Sequence, residues 1–200
     1  CSLKKHGYDV YLTAPGESCV RDGIHIIGVP DAKGRLSRMF FSARNIYKAA
    51  LKIDADVYHF HDPELLRYGL KLKKRGKVVI YDSHEDVPRQ IYSKQWLPAL
   101  FRPLISHVFE WFENRAVRRL SGVITATPFI AARFSQIHSN TVDINNYPLL
   151  DTVTPGSASF DKRKRQFCYT GLLSKIRGSD IILDAVSNVD VSLVLAGPIA

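Results

Sequence analysis

Cysteine is scarce in this sequence: 200 residues hold three, Cys1, Cys19 and Cys168, far apart and with no CxxC pair. An odd, scattered trio speaks against a disulfide framework or a cysteine-ligated zinc site and fits a reducing compartment. No apolar run approaches the roughly 18 residues that a membrane-crossing helix needs. Lys4, Lys5, His6 and Gly7 interrupt any apolar stretch at the start, which argues against a signal peptide there. No internal repeat is apparent. Acidic residues are in the minority, 19 against 28 basic, and the net charge is +9. Such a balance attracts phosphates, nucleic acids or anionic lipid surfaces. Basic runs occur at Lys71, Lys73, Lys74, Arg75 and Lys77 and again at Lys162 to Arg165, as solvated faces or as anion contacts. No zinc finger, RNP-type motif or base-reading basic helix is present, so nucleic acid is not the expected partner.

What remains is an ordinary globular composition, 46% apolar and 24% charged, with enough apolar residues for a core. Strand-like and helix-like periods alternate. Val10 to Thr13, Ile24 to Val29, Val57 to Phe60, Val78 to Tyr81, Val123 to Ile124 and Val142 to Ile144 read as strands. Between them, Leu36, Met39, Phe40, Ala43, Ile46, Tyr47, Ala50 and Leu51 recur at helical spacing. Asp62-Pro63-Glu64 opens another helix, with Asp as N-cap, and Thr127-Pro128 caps a further one. A long helix spans about 99–120, with Leu104, Ile105, Val108 and Phe112 on one face and Ser106, Glu110, Glu113 and Asn114 on the other. Strands separated by helices predict an α/β fold with a doubly wound parallel sheet.

Composition shifts after Pro148, and residues 151–165 lack periodicity, which predicts a linker. Strand Phe167 to Thr170, helix Ile181 to Val186 and strand Val191 to Ala196 then form a single βαβ. The expected organisation is a Rossmann-like domain over 1–150, the linker, and the start of a second Rossmann-like domain over 166–200. A doubly wound domain normally has a strand before its first helix, and a lone βαβ cannot cover both faces of its sheet. Missing sequence is therefore expected at both ends.

Three stretches could carry chemistry. In VYHFHDPELL (57–66), His59 and His61 share one strand face, and His61 falls at the carboxyl end, the edge where open α/β sheets bind ligands. His59, inside an apolar strand, reads as a hydrogen-bonded core residue. The second stretch, VIYDSHED (79–86), also ends a parallel strand. If the two strands are neighbours, His61, Asp62, His84, Glu85 and Asp86 converge on one crevice. Imidazoles there can exchange protons near neutral pH and donate to phosphate or hydroxyl oxygens. Asp62 has the rival role of helix cap and Asp82 that of a loop-amide acceptor. His59-x-His61 with nearby carboxylates imitates metal-ligand spacing, but no metal is expected. The third stretch, YTGLLSKIRGS (169–179), leads from a strand through Gly171 to a helix N-terminus, with Lys175 and Arg177 as cations suited to phosphate. Separately, Trp96, Leu97, Leu100, Phe101, Trp111 and Phe112, interleaved with Arg102, Arg115, Arg118 and Arg119, fit either a membrane-surface helix or a core helix with a wet back.

These segments, together with ITATPFIAARF (124–134) and NNYP (145–148), resemble the family-four retaining glycosyltransferases of the GT-B fold, especially bacterial polysaccharide enzymes. The resemblance implies an acceptor-side first domain and a second domain that binds a nucleoside-diphosphate sugar. His84 matches the histidine that approaches the transferring sugar and its phosphate, with His61 beside it as the second catalytic candidate. Asp62, Glu64, Glu85 and Asp86 would line the acceptor side. Gly171, Lys175 and Arg177 match the loop that grips the diphosphate. No cofactor or metal is implied, because cationic groups stabilise the leaving diphosphate. Leu172 stands where many members carry Arg, and Arg177 where they carry Lys.

The family's acidic donor motif and first glycine-rich loop are not found here, so this piece by itself is expected to be inactive. The activity implied is hexosyl transfer to a lipid-linked or saccharide acceptor in cell-surface glycan synthesis. It would take place in the cytoplasm, at or near the anionic inner face of the plasma membrane. A sugar-nucleotide 2-epimerase of the same architecture and a non-catalytic basic binding module are the alternatives.

Overall fold

A computed structural model describes residues 2–30, 34, 37–94, 96–147, 159, 161 and 163–199. The chain forms two compact units, Cys1–Tyr147 and Pro148–Ala200. Most of the expected linker, 151–165, and Leu36 lie outside the described residues.

The first unit opens with a short helix, α1 (Ser2–Lys5), and a sheet of three strands: β1 (Tyr11–Pro15), β2 (Cys19–Arg21) and β3 (Ile24–Val29). β1 runs parallel to β3, and β2 is antiparallel to it. β2 was not anticipated. Its cause is local: Arg21 pairs with Ile24, leaving Asp22-Gly23 as a two-residue loop with φ of 52° and 72°. Asp-Gly is the pair that such a left-handed hairpin turn favours.

A π-turn at Arg38–Ser42 leads into α2 (Ala43–Ile53), whose Tyr47, Ala50 and Leu51 pack on the main core. The second sheet holds β4 (Val57–Phe60), β5 (Val78–Ser83), β6 (Gly122–Thr125) and β7 (Thr141–Asp143), all parallel and in sequence order. The register aligns Phe60 with Tyr81 and Tyr81 with Val123. Alternation then sends Tyr58, Phe60, Val79, Tyr81 and Val123 into one core. Leu66 and Leu72 of α3 (Leu66–Lys73) cover that core, and so do Ile130 and Phe134 of α6 (Pro128–Ser135). The Thr127 side chain caps α6 by accepting from the Ile130 amide at 3.3 Å. Asp62 sits at the head of a 3-10 turn, Pro63–Leu65, but its side chain makes no capping bond.

Between α4 (Val87–Ile91) and β6 lie a 3-10 turn (Ala99–Phe101) and α5 (Arg102–Val117). Here the sequence expectation is overturned in part. Two residues of the expected wet face are buried, Ser106 and Glu113, 3% and 0% exposed, and Glu110 and Asn114 are half-buried. Of the expected apolar row, Leu104 and Val108 face outward, 63% and 57% exposed, beside the exposed Leu100 and Trp111, whereas Ile105 and Phe112 are half-buried and Phe112 packs on the core as expected. The buried polar groups have partners, which removes the cost of burying them. Ser106 Oγ donates to the Pro88 carbonyl at 2.7 Å. Tyr81 donates to Glu113 Oε1 at 3.1 Å, and Arg133 Nη2 donates to Glu113 Oε2 at 2.6 Å. Burial pushes the Glu113 carboxyl up, against the opposing pull of Arg133 and Tyr81.

The second unit contains β8 (Gln166–Thr170), a 3-10 turn (Lys175–Arg177), α7 (Ser179–Ser187) and β9 (Ser192–Ala196). β8 and β9 are parallel, the expected βαβ. None of its described residues is buried.

Candidate active site

The carboxyl ends of β4 and β5 carry the site of the first unit. Tyr58 and Phe60 face the core, so His59 and His61 project from the opposite face. His59 is therefore no core residue; its side chain is one-third exposed. On β5 the same alternation buries Tyr81 in the core and turns Asp82 toward the histidines. The ladder that pairs Phe60 with Tyr81 places Asp82 opposite His61.

The result is a tight cluster. His59 Nε2 donates to Asp82 Oδ2 at 2.9 Å. His61 Nδ1 lies 3.3 Å from the same oxygen and 2.7 Å from His84 Nε2. His84 Nε2 lies 3.5 Å from Asp82 Oδ1. The His61 ring stacks on His84 with centroids 4.9 Å apart and tilts against His59 at 4.8 Å. Burial lowers the His61 pKa, Asp82 opposes that, and the two neighbouring imidazoles lower it further. Burial alone would raise Asp82, but the bond from His59 and the charges available on His84 and His61 hold it below the usual carboxylate range. Asp82 is the buried floor and the imidazoles form an open rim.

A cavity of about 270 Å³ adjoins this rim. Leu12 and Ala14 of β1 and Ile46 and Tyr47 of α2 help to line it, and His59, His61 and Asp62 stand at one end.

The other expected acceptor-side residues divide. Asp62 and Glu64 are exposed beside His61, and Glu85 is exposed beside His84. Asp86 turns away from the cluster: its carboxylate lies 3.4 Å from Arg133 Nη1 and 3.6 Å from Arg89 Nε. It thus joins the ion-pair group of Arg89, Glu110, Glu113 and Arg133. Asp82, expected only to accept from loop amides, instead joins the histidines: alternation turns it to their face, and the register of β4 with β5 sets it beside His61.

In the second unit, Gly171 follows β8 with φ 142°, and Gly178 heads α7 with φ 76°. Lys175 and Arg177 lie on the intervening turn, both exposed, with Lys175 Nζ 3.9 Å from Asp180. Gly197, past β9, was missed: a Cβ there would lie 1.8 Å from the Gly171 carbonyl oxygen. The 171 loop is therefore shaped by backbone packed on backbone, which only glycine permits.

The profile of Glycosyltransferase Family 4 matches residues 2–144. A solved sucrose-phosphate synthase from Thermosynechococcus elongatus superposes with a TM-score of 0.75 at 13% identity, over 97% of this chain and 53% of that one. The chain thus spans about half the length of that structure. That likeness carries the fold, an α/β architecture of the GT-B type. No curated protein matches in sequence. With the family profile covering most of the chain and the fold agreeing with it, this chain belongs to Glycosyltransferase Family 4.

Proposed function

We propose that this chain supplies the acceptor side, and part of the donor diphosphate grip, of a hexosyltransferase. The donor is a nucleoside-diphosphate sugar. The acceptor is a lipid-linked or saccharide group in bacterial cell-surface glycan synthesis. The observation that carries the reading is the pairing of His61 with His84 at the carboxyl ends of two adjacent parallel strands. Ligands of open α/β sheets bind at that edge. His84 and His61 serve the transferring sugar, and Asp62, Glu64 and Glu85 bind acceptor hydroxyls. Asp86, drawn into an ion-pair group, shapes the wall instead. Gly171, Lys175 and Arg177 hold the diphosphate, whose charge suits a cationic turn ahead of a helix N-terminus.

The test is an assay of the intact protein with nucleotide sugar, with and without acceptor. Acceptor-dependent glycoside is expected, and Arg177→Ala should weaken donor affinity about tenfold or more, the loss of a charge-assisted pair. Epimerised sugar nucleotide formed without acceptor would favour the epimerase instead.

The site of action is the inner face of the plasma membrane. Among the described residues no helix is long and apolar enough to cross a membrane. The exposed row Leu100, Leu104, Val108 and Trp111 supports surface contact, with the Arg115 guanidinium 5.9 Å from the Trp111 ring at its end. Apolar area and cationic flanks together suit anionic headgroups. Leu104→Glu with Val108→Glu is expected to abolish co-sedimentation with phosphatidylglycerol vesicles while leaving the unfolding midpoint within experimental error. Unchanged sedimentation would remove the membrane from the reading.

A further inference from the structure

We propose that Asp82 is a positioning residue for the transfer: its carboxylate fixes the order of protons in the His61–His84 pair, so that His84 presents an N–H, at Nδ1, to the substrate. This rests on the reading of His84 as the group that serves the transferring sugar.

Proton counting is the first argument. His61 Nδ1 and His84 Nε2 are 2.7 Å apart, close enough that one nitrogen must donate and the other accept. Two orders satisfy that contact. In the first, His61 Nδ1 carries the hydrogen and His84 Nε2 accepts it, which leaves the His84 proton on Nδ1. In the second, His84 Nε2 donates and its Nδ1 is a bare lone pair. Burial lowers the His61 pKa, so this ring is uncharged at neutral pH and has one proton to place. Asp82 Oδ2 lies 3.3 Å from His61 Nδ1, and an ionised carboxylate can only accept. The second order would set the His61 Nδ1 lone pair against that oxygen. What it gains is the longer approach of His84 Nε2 to Asp82 Oδ1, 3.5 Å. The first order turns the His61 N–H toward both the oxygen and His84, and is the one the carboxylate selects.

The carboxylate is fixed, which is the second argument. Asp82 lies on β5, paired with β4 on one side and β6 on the other. Its neighbours Tyr81 and Ser83 are each 1% exposed. Its own side chain is 10% exposed, and His59 Nε2 donates to Oδ2 at 2.9 Å. Burial pushes the carboxyl up, but the His59 bond and the charges available on His84 and His61 bring it below the usual range, so it is ionised at neutral pH. Order thus runs from a buried acceptor through His61 to the half-exposed ring of His84. Negative charge developing on a departing diphosphate is stabilised by an N–H at that place and opposed by a lone pair.

The experiment is nitrogen NMR of the histidine rings in the intact, isotope-labelled protein at about pH 8.5, above the ordinary imidazole range, with neither donor nor acceptor present. The His84 signals are those that His84→Ala removes. In the wild type, Nδ1 of His84 is expected to be protonated and Nε2 bare. Asp82→Asn keeps the shape but can turn either its oxygen or its amide hydrogens toward the rings, so the single tautomer should give way to a mixture. Asp82→Ala, which removes the acceptor altogether, should do the same. In the transfer assay Asp82→Asn should lower kcat about tenfold or more, with the donor KM changed only a few-fold, because a lone pair then faces the developing charge. A His84 proton on Nε2 in the wild type, or the same single tautomer in both variants, would overturn the proposal. Changed tautomers with unchanged turnover would support the proton order and remove His84 from the reaction, so the two failures are told apart.

Discussion

Arg133→Met is expected to destabilise the first unit by about 3–5 kcal/mol, the usual effect of removing one partner from a buried ion pair. Glu113 is fully buried on α5, and Arg133 Nη2 is its closest cationic contact at 2.6 Å. The same nitrogen donates to Asn114 Oδ1 at 2.9 Å, and Nη1 reaches Asp86 at 3.4 Å. Methionine preserves much of the volume and packing on Phe134, whose ring the guanidinium covers at 4.6 Å. The loss is therefore electrostatic. Among the described residues, the Tyr81 hydroxyl is then the donor that remains to the carboxylate. Such a group takes up a proton rather than stay charged in an apolar setting.

That fixes the pH dependence. The folded-state pKa of Glu113 is already raised by burial, and loss of Arg133 raises it further. A raised carboxyl contributes stability that is present in full below its unfolded pKa and is lost as pH rises through the folded one. The penalty of Arg133→Met should therefore be largest at neutral and alkaline pH and shrink in acid. Urea unfolding of both proteins across that range measures it. Adding Glu113→Gln to Arg133→Met should recover part of the loss at neutral pH, since the amide carries no charge to strand. A flat, small penalty would show that the pair contributes little.

The same ion pair explains where sequence reasoning failed. Read by hydropathy, α5 should turn Leu104 and Val108 inward and Glu113 outward. The helix keeps Phe112 on the core but turns Glu113 inward too, where Arg133, 20 positions on in α6, reaches back to it, and no local pattern announces a partner that distant. Where local rules suffice, the reading held: β3 and β4 match their expected spans, and the Thr127 cap forms. The Asp22-Gly23 turn was legible and overlooked. At the site, the strand alternation that aligned His59 with His61 was visible, and the convergence of His61 with His84 followed once β4 and β5 were neighbours. Asp82 needed the register itself, and Gly197 a backbone approach that no side-chain pattern encodes.

His84→Ala is expected to lower the turnover of sugar transfer by about 100- to 1,000-fold, the range for losing one positioned acid–base or charge-stabilising group. The His84 ring is half-exposed, so it can meet a substrate, yet it is held by the 2.7 Å contact with His61 Nδ1 and by stacking on that ring. Its remaining nitrogen, Nδ1, is the atom available to a sugar hydroxyl or phosphate oxygen. Charge develops on the departing diphosphate as the glycosidic bond breaks, and a donor fixed in advance stabilises that charge without reorganising. The loss should therefore appear in kcat, with the donor KM changed only a few-fold, because the interaction strengthens in the transition state. His61→Ala should act through His84: the ring remains but loses its support, so the fall should be smaller, about tenfold. If His84→Ala turned over like the wild type, His84 would have no part in the reaction. A rise in KM with kcat intact would make it a binding residue only.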